Sequence, residues 1–286
     1  MKKMHRVIAG VLLAVGTVGQ AQVPARLTLK SGAEWLAVLY SLSEGQVDLQ
    51  QRGSDQRMTL PADMFSQAVF AAPADRTELQ DLYVRGEFAQ VFNRLSTAID
   101  PLKPYLSIPN NMTPYLMVQL KAAVWAGRDQ SVLETAGLLE GAELTPAEQA
   151  EVARFPVLAL IRSGRLAEAE RKLEALDIRL EKERDSALSW YLLARLRERQ
   201  GRIPEAQESA ARIVGFHARD FEWMPPGLLL LARLYGETGQ YNAAEQVLQE
   251  LRELYASPHW TAEADRLSVE LNKKVLAELA AGKPQE

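Results

Sequence analysis

The 286-residue chain contains no cysteine and only three histidines. The first absence excludes disulfides, thiolate zinc sites, iron–sulfur clusters and cysteine nucleophiles. The second leaves little for metal or acid–base chemistry. His5 falls in a leader described below, and His217 and His259 each stand without a second histidine at ligand spacing. Metals need clustered ligands, so both read as solvated loop residues. No GxSxG, HExxH, P-loop or GxGxxG pattern occurs. GETG at 236–239 reads as a turn and not as a phosphate cradle. The acidic pairs Glu168/Glu170 and Glu181/Glu183 fall on polar helix faces and read as solvated. The expectation is a non-enzyme with no catalytic residue, no cofactor and no metal.

Long apolar runs are also scarce. The exception is residues 7–19, VIAGVLLAVGTVG, behind the cationic start MKKMHR and ahead of Ala21. A membrane-spanning helix needs roughly 20 apolar residues. The run is shorter, and with small residues at Gly19 and Ala21 it reads as a bacterial-type signal peptide, 1–21, cleaved after Ala21. An uncleaved anchor is the competing reading. The mature chain is expected to be exported, periplasmic or extracellular, with no transmembrane segment. Removal of Lys2, Lys3 and Arg6 takes the formal charge from −4 to −7. That balance argues against nucleic acid as a partner, since nucleic-acid binding draws on basic surface.

What is present divides at about residue 75. In 22–75, RLTLKSG, QVDLQQ and RMTLP alternate apolar with polar residues, EWLAVLYSL is a longer apolar run, and Gly/Ser/Asp clusters separate them. Period-2 alternation broken by turn residues predicts antiparallel strands. SQAVFA adds a possible fifth, and AAPAD (71–75) is the expected junction. The turn spacing weakly resembles a small SH3-like or Sm-like β module.

From 76 to 257 nearly every segment is helix-compatible. Glycines that precede a new helix recur at Gly86, Gly127, Gly164, Gly201 and Gly239, separated by 41, 37, 37 and 38 residues. A period in this range predicts stacked helical hairpins. Each glycine suits the left-handed backbone that ends many helices. Five residues later come Ala169, Ala206 and Ala244, small enough for the second helix to approach the first. Val91 and Val132 take that place in the two earliest units.

SWYLLARLRERQGRIPEAQESAARI and LLLLARLYGETGQYNAAEQVLQEL resemble the tetratricopeptide repeat, through Trp190, Leu193, Ala194, Gly201, Ala206 and Ile213, and through Leu231, Ala232, Tyr235, Gly239, Ala244, Leu248 and Leu251. FPVLALIRSGRLAEAERKLEAL matches more loosely. The unit length exceeds that family's 34 residues by three or more, which places the excess in loops between repeats. The resemblance implies a mainly α fold: a tetratricopeptide-like α-solenoid of about five hairpins, preceded by the small antiparallel β module. Residues 258–286 would supply a capping helix with an apolar stripe of Leu267, Leu271, Val275 and Leu279, followed by a tail.

In that family the first helix of each hairpin lines a concave groove. By position, the resemblance places Lys121, Trp125, Arg162, Tyr191, Arg195, Arg199 and Arg233 there, beside Met117, Arg154, Leu158 and Leu229. Six of these eleven are Lys or Arg, so a basic groove would suit an acidic segment or a C-terminal carboxylate, with Trp125 and Tyr191 as aromatic anchors. The plainer reading is that each Arg pairs with a Glu one turn away, as Arg195 with Glu198. The aromatic segment 215–227 is expected to staple the fourth hairpin to the fifth, with a ligand-facing loop as the alternative. The functional expectation is an exported scaffold for a protein or peptide partner. The alternative is a cell-envelope glycan or peptidoglycan-binding module using the β segment or the aromatic loop.

Overall fold

The computed structural model describes residues 22–176 and 186–281. The expected leader at 1–21, the Glu181/Glu183 pair and the tail from 282 lie outside the described residues. The chain divides into two compact units. One comprises the segment up to Ala71 together with Pro101–Asn110; the other comprises Ala72–Asp100 and the remainder from Asn111. The first division falls between Ala71 and Ala72, and ten residues inside the helical stretch belong with the sheet.

The first unit is a five-stranded antiparallel sheet: β1 (Val23–Leu29), β2 (Glu34–Ser43), β3 (Gln46–Gln51), β4 (Arg57–Pro61) and β5 (Phe65–Phe70), in the order β4-β3-β2-β1-β5. A single 3-10 turn, Ala62–Met64, lets the chain leave one edge and return beside β1. Alternation decides the faces: Val23, Ala25, Leu27 and Leu29 are buried, while Pro24 and Arg26 between them are exposed. Leu39, Val47, Leu49, Phe65 and Phe70 complete that core. The inserted segment Pro101–Asn110 contributes the buried Leu102, Tyr105 and Ile108. It also meets the outer side of β5, where the Ala68 N–H donates to the Pro109 carbonyl at 2.8 Å and Ala68 bridges Asn110 in parallel. An edge strand left with unpaired amides would be a template for unwanted pairing, and this segment covers it.

The second unit contains eleven α-helices among the described residues. Five pairs are joined at the five periodic glycines: α1 (Arg76–Val84) and α2 (Phe88–Ile99), α3 (Thr113–Trp125) and α4 (Asp129–Leu138), α5 (Pro146–Arg162) and α6 (Leu166–Ala175), α7 (Ala187–Arg199) and α8 (Ile203–Phe216), α9 (Met224–Glu237) and α10 (Tyr241–Leu254). All five glycines have φ between +68° and +78°, the left-handed region where a side chain is strained. The residues five positions on, Val91, Val132, Ala169, Ala206 and Ala244, are all fully buried. Between α7 and α9, for example, Ala194, Ala206, Ala210, Leu230, Leu231 and Leu234 form one continuous core. The first helices also touch in series, α3 with α5, α5 with α7, and α7 with α9.

α11 (Pro258–Ala280) follows and packs on α9 and α10. Its stripe is shorter than expected. Leu267 and Leu271 are buried, but Leu279 is exposed, because the helix outruns the pair it packs against. Gly236 also departs from expectation. It lies inside α9 and not in a turn; the missing Cβ makes room for Leu271 of α11. Only Gly239 of the GETG stretch turns the chain. Among the described residues no helix is long and apolar enough to cross a membrane.

Candidate functional site: an aromatic pocket within the helical unit

The pocket is built from two helix faces and two helix starts. On α1, Arg76, Leu79, Gln80, Tyr83 and Val84 fall at i, i+3, i+4, i+7 and i+8 and so share one side. On α3, Tyr115, Val118, Lys121 and Trp125 do the same. The opposite wall comes from Phe221, Glu222 and Pro225 at the start of α9, and from Leu254–Ser257, His259 and Trp260 at the start of α11. The enclosed volume is about 910 Å³. Seven of the chain's Phe, Trp and Tyr side chains line it, Tyr83, Phe88, Tyr115, Trp125, Phe221, Tyr255 and Trp260, out of 7, 5 and 8 of each type in the whole sequence. About a third of all aromatic residues thus converge on one cavity, which a solvated surface would not require.

The α1–α2 turn and the start of α11 meet in direct contact. His259 stands edge-on to Phe88 at 5.1 Å and to Trp260 at 4.6 Å, and Trp260 is edge-on to Trp125 at 5.6 Å. Burial pushes the His259 pKa below its ordinary value, with Glu263 opposing and Arg266 adding to the shift. The first and the last elements of the helical unit therefore close around the pocket.

Its polar wall is a three-membered charge cluster. The Lys121 ammonium donates to Glu151 Oε1 at 2.8 Å and to Glu222 at 3.1 and 3.2 Å. Burial pulls the Lys121 pKa down, but the two carboxylates outweigh it, so the net direction is up. Glu151 is raised: burial outweighs the attraction of Lys121, and Glu222 adds like charge. Tyr83 is pushed well above the usual phenol range, first by burial and then by Glu222. The Tyr83 hydroxyl also takes a hydrogen bond from Trp125, and Glu151 adds to the upward push. It stays a neutral phenol, able to donate. Among the described residues no group of three or more His, Asp or Glu could hold a metal ion.

Of the seven residues expected in a basic groove, Lys121 and Trp125 line this pocket. Tyr191 does not; its ring packs 5.3 Å from that of Trp223. The arginines are engaged internally. Arg162 donates to Asp129 Oδ1 and to the Val124 carbonyl, each at 2.7 Å. Arg195 holds Glu198 at 2.7 Å, and Arg233 stands 4.0 Å from the same carboxylate. Arg199 donates to the Arg162 carbonyl at 3.1 Å. Four of the six cations counted along the first helices, Lys121, Arg162, Arg195 and Arg233, are thus met by Glu151, Glu222, Asp129 and Glu198, whereas Arg199 meets a carbonyl and the Arg154 Nε is buried without a hydrogen-bond partner among the described residues.

The segment before α9 explains why the middle of that surface is filled. Trp223 is buried with its ring 4.9 Å from Trp125, 6.0 Å from Phe155 and 5.3 Å from Tyr191. One side chain therefore touches α3, α5 and α7, three helices where a staple between adjacent hairpins was expected. Asp220 fixes its approach, accepting from the N–H groups of Glu222 and Trp223 at 3.2 and 2.9 Å. Phe221, next to it, points out and is 77% exposed. The Pro225-Pro226 pair was the signal in the sequence: prolines suit the first turn of a helix, so 217–223 had to be a connection free to cross the inner face. No family model matches the chain, and no curated protein matches it.

Proposed function

We propose that the protein is an exported interaction scaffold whose aromatic pocket takes apolar side chains from a peptide segment of a partner protein. The observation that carries this reading is the rim. Val84, Phe221 and Leu254 all line the cavity and are 58%, 77% and 64% exposed. Large apolar side chains held open to water around an aromatic cavity are the composition of a protein-docking site. The volume suits two or three large side chains, since ligand pockets run to about 300–1,000 Å³. The repeated glycine-hinged hairpins support a tetratricopeptide-like α-solenoid, and the strand order with its 3-10 turn supports an SH3-like module. The leader-like residues 1–21 support export to the periplasm or exterior.

Internal compensation of Lys121, Arg162, Arg195 and Arg233 makes apolar contact, and not a basic groove, the main source of affinity at this site. The test is selection of a phage-displayed random peptide library on the full chain. Peptides rich in Leu, Phe or Trp should be enriched, and Phe221→Ala with Leu254→Asp should abolish the enrichment. Enrichment unchanged in that variant would overturn the reading. Retention on insoluble cell-wall glycan without peptide selection would favour the glycan-binding alternative.

A further inference from the structure

The sheet carries a second surface, independent of the pocket. Residues facing outward form two rows across the strands. Val69, Arg26 and Leu36 are aligned by register on β5, β1 and β2, and the Arg52 N–H donates to the Leu36 carbonyl at 2.7 Å, which places Arg52 next in the row. Pro24, Val38, Gln50 and Arg57 form the neighbouring row. Arg57 stacks on the Tyr40 ring at 3.6 Å, and Tyr40 donates to Gln50 at 2.8 Å. A shallow cavity of about 610 Å³ runs over this face, lined by Arg26, Leu36, Val38, Arg52 and Val69 among others, with no acidic residue in its lining. Leu36 is 50% exposed.

The arginines here differ from Arg162, Arg195 and Arg233 of the helical unit, each of which meets a carboxylate. Among the described residues, neither the Arg26 nor the Arg52 side chain makes a hydrogen bond or ion pair. Glu34, paired with Thr28 one row beyond, and Asp48 on β3 are the acids of this face, and neither lines the cavity. Two unpaired guanidinium groups thus flank an exposed leucine. With strands about 4.8 Å apart, the two arginine Cα positions are separated by about 10 Å.

We propose that this face docks an acidic peptide segment of a partner protein, with two carboxylates gripped by Arg26 and Arg52 and an apolar residue between them covering Leu36. The carboxylate-binding chemistry follows from the guanidinium fork, which matches a carboxylate bidentately. In a polyproline II segment, three residues per turn at about 3.1 Å each put residues three apart on one face and about 9 Å from each other, so the complementary pattern is Glu-x-x-Glu with an apolar residue at x. The acidic partner chemistry expected from the helical groove finds its uncompensated cations on the sheet.

The test uses the full chain on an array of Glu-x-x-Glu peptides with Leu, Val or Pro at x, beside matching Lys-x-x-Lys peptides. The wild-type chain should be retained on the glutamate series alone, with retention falling at least tenfold between 50 and 300 mM salt. Arg26→Glu with Arg52→Glu should lose that retention and gain the lysine series. Both arginines are exposed, so the variant should fold, and an unchanged circular dichroism spectrum verifies this. Leu36→Ala should weaken binding without altering the salt dependence. No retention on the glutamate series, or retention unaffected by the double reversal, overturns the proposal. So does co-sedimentation with phosphatidylglycerol vesicles in the absence of peptide binding, which would assign the face to a membrane surface. Phe221→Ala with Leu254→Asp, which tests the pocket, should leave this binding intact.

Discussion

Gly86 lies directly beneath His259: a Cβ built on the glycine would stand 2.5 Å from the His259 Cβ. The same glycine has φ +76°. Two constraints therefore act at one position, and they can be separated. At Gly127, φ is +68° but a Cβ would meet nothing within 4 Å. Gly127→Ala should lower stability by about 1 kcal/mol, the cost of the left-handed backbone alone. Gly86→Ala should cost about 2–4 kcal/mol, adding overpacking against a Cβ that cannot rotate away. Chemical denaturation of both variants checks the difference. Equal losses would mean that the α1–α2 turn and the start of α11 are not in firm contact.

Trp223 and Phe221 are two residues apart and should behave oppositely. Trp223→Ala removes a buried ring shared by three helices and should cost about 3–5 kcal/mol. Phe221→Ala, at a side chain open to water, should change stability by less than about 0.5 kcal/mol while weakening peptide binding at the pocket. Thermal melts and a binding titration on each variant separate the packing role from the docking role.

The Lys121 cluster predicts a pattern across three variants. Lys121→Met leaves Glu151 and Glu222 facing each other in a half-buried wall. Breaking a fully buried pair costs about 3–5 kcal/mol, and partial exposure here reduces that to about 1–2 kcal/mol. Glu151→Gln combined with Glu222→Gln in the Lys121→Met background should recover most of the loss. A triple variant as unstable as the single one would show that the lysine acts through its methylene packing.

His259 gives the chain a dependence on acid. Its pKa is lowered in the folded state, so the unfolded chain binds the proton more readily below the ordinary value of 6.5. Stability is therefore complete above about pH 6.5 and is lost as the pH falls through that value toward the folded pKa, below which the loss stops. The melting temperature should drop between pH 7 and pH 5.5, and His259→Phe should flatten that part of the curve. An unchanged slope would assign the effect to other groups.

Much of the fold was legible because it rests on local rules. The strands follow from alternation and turn residues, and the paired helices follow from five glycines and the small residue five positions later. What stayed hidden depends on contacts between residues distant in sequence. Pro101–Asn110 reads as one more helical connection; only Ala68, more than thirty positions earlier, shows that it edges the sheet. Gly236 and Gly239 look alike in sequence, yet Leu271 makes one a packing site while backbone geometry makes the other a turn. For the pocket, Lys121 and Trp125 were reachable from helix position. Glu222, Trp260 and Phe88 were not, because nothing local tells that α11 returns to α2. The cations misled by being counted alone, since Glu151 and Glu222 hold Lys121 while Asp129 holds Arg162 and Glu198 holds Arg195 and Arg233.

The insertion of Pro101–Asn110 into the sheet-bearing unit also bears on how the chain is made and inherited. During synthesis the five strands leave the ribosome first, but the piece that finishes their border arrives only after α1 and α2 have emerged. Recombination at a single point between residues 71 and 101 would separate the sheet from its own last segment. Exchanging either unit cleanly would need three crossovers, after residues 71, 100 and 110, so the pair should travel through evolution as one gene segment.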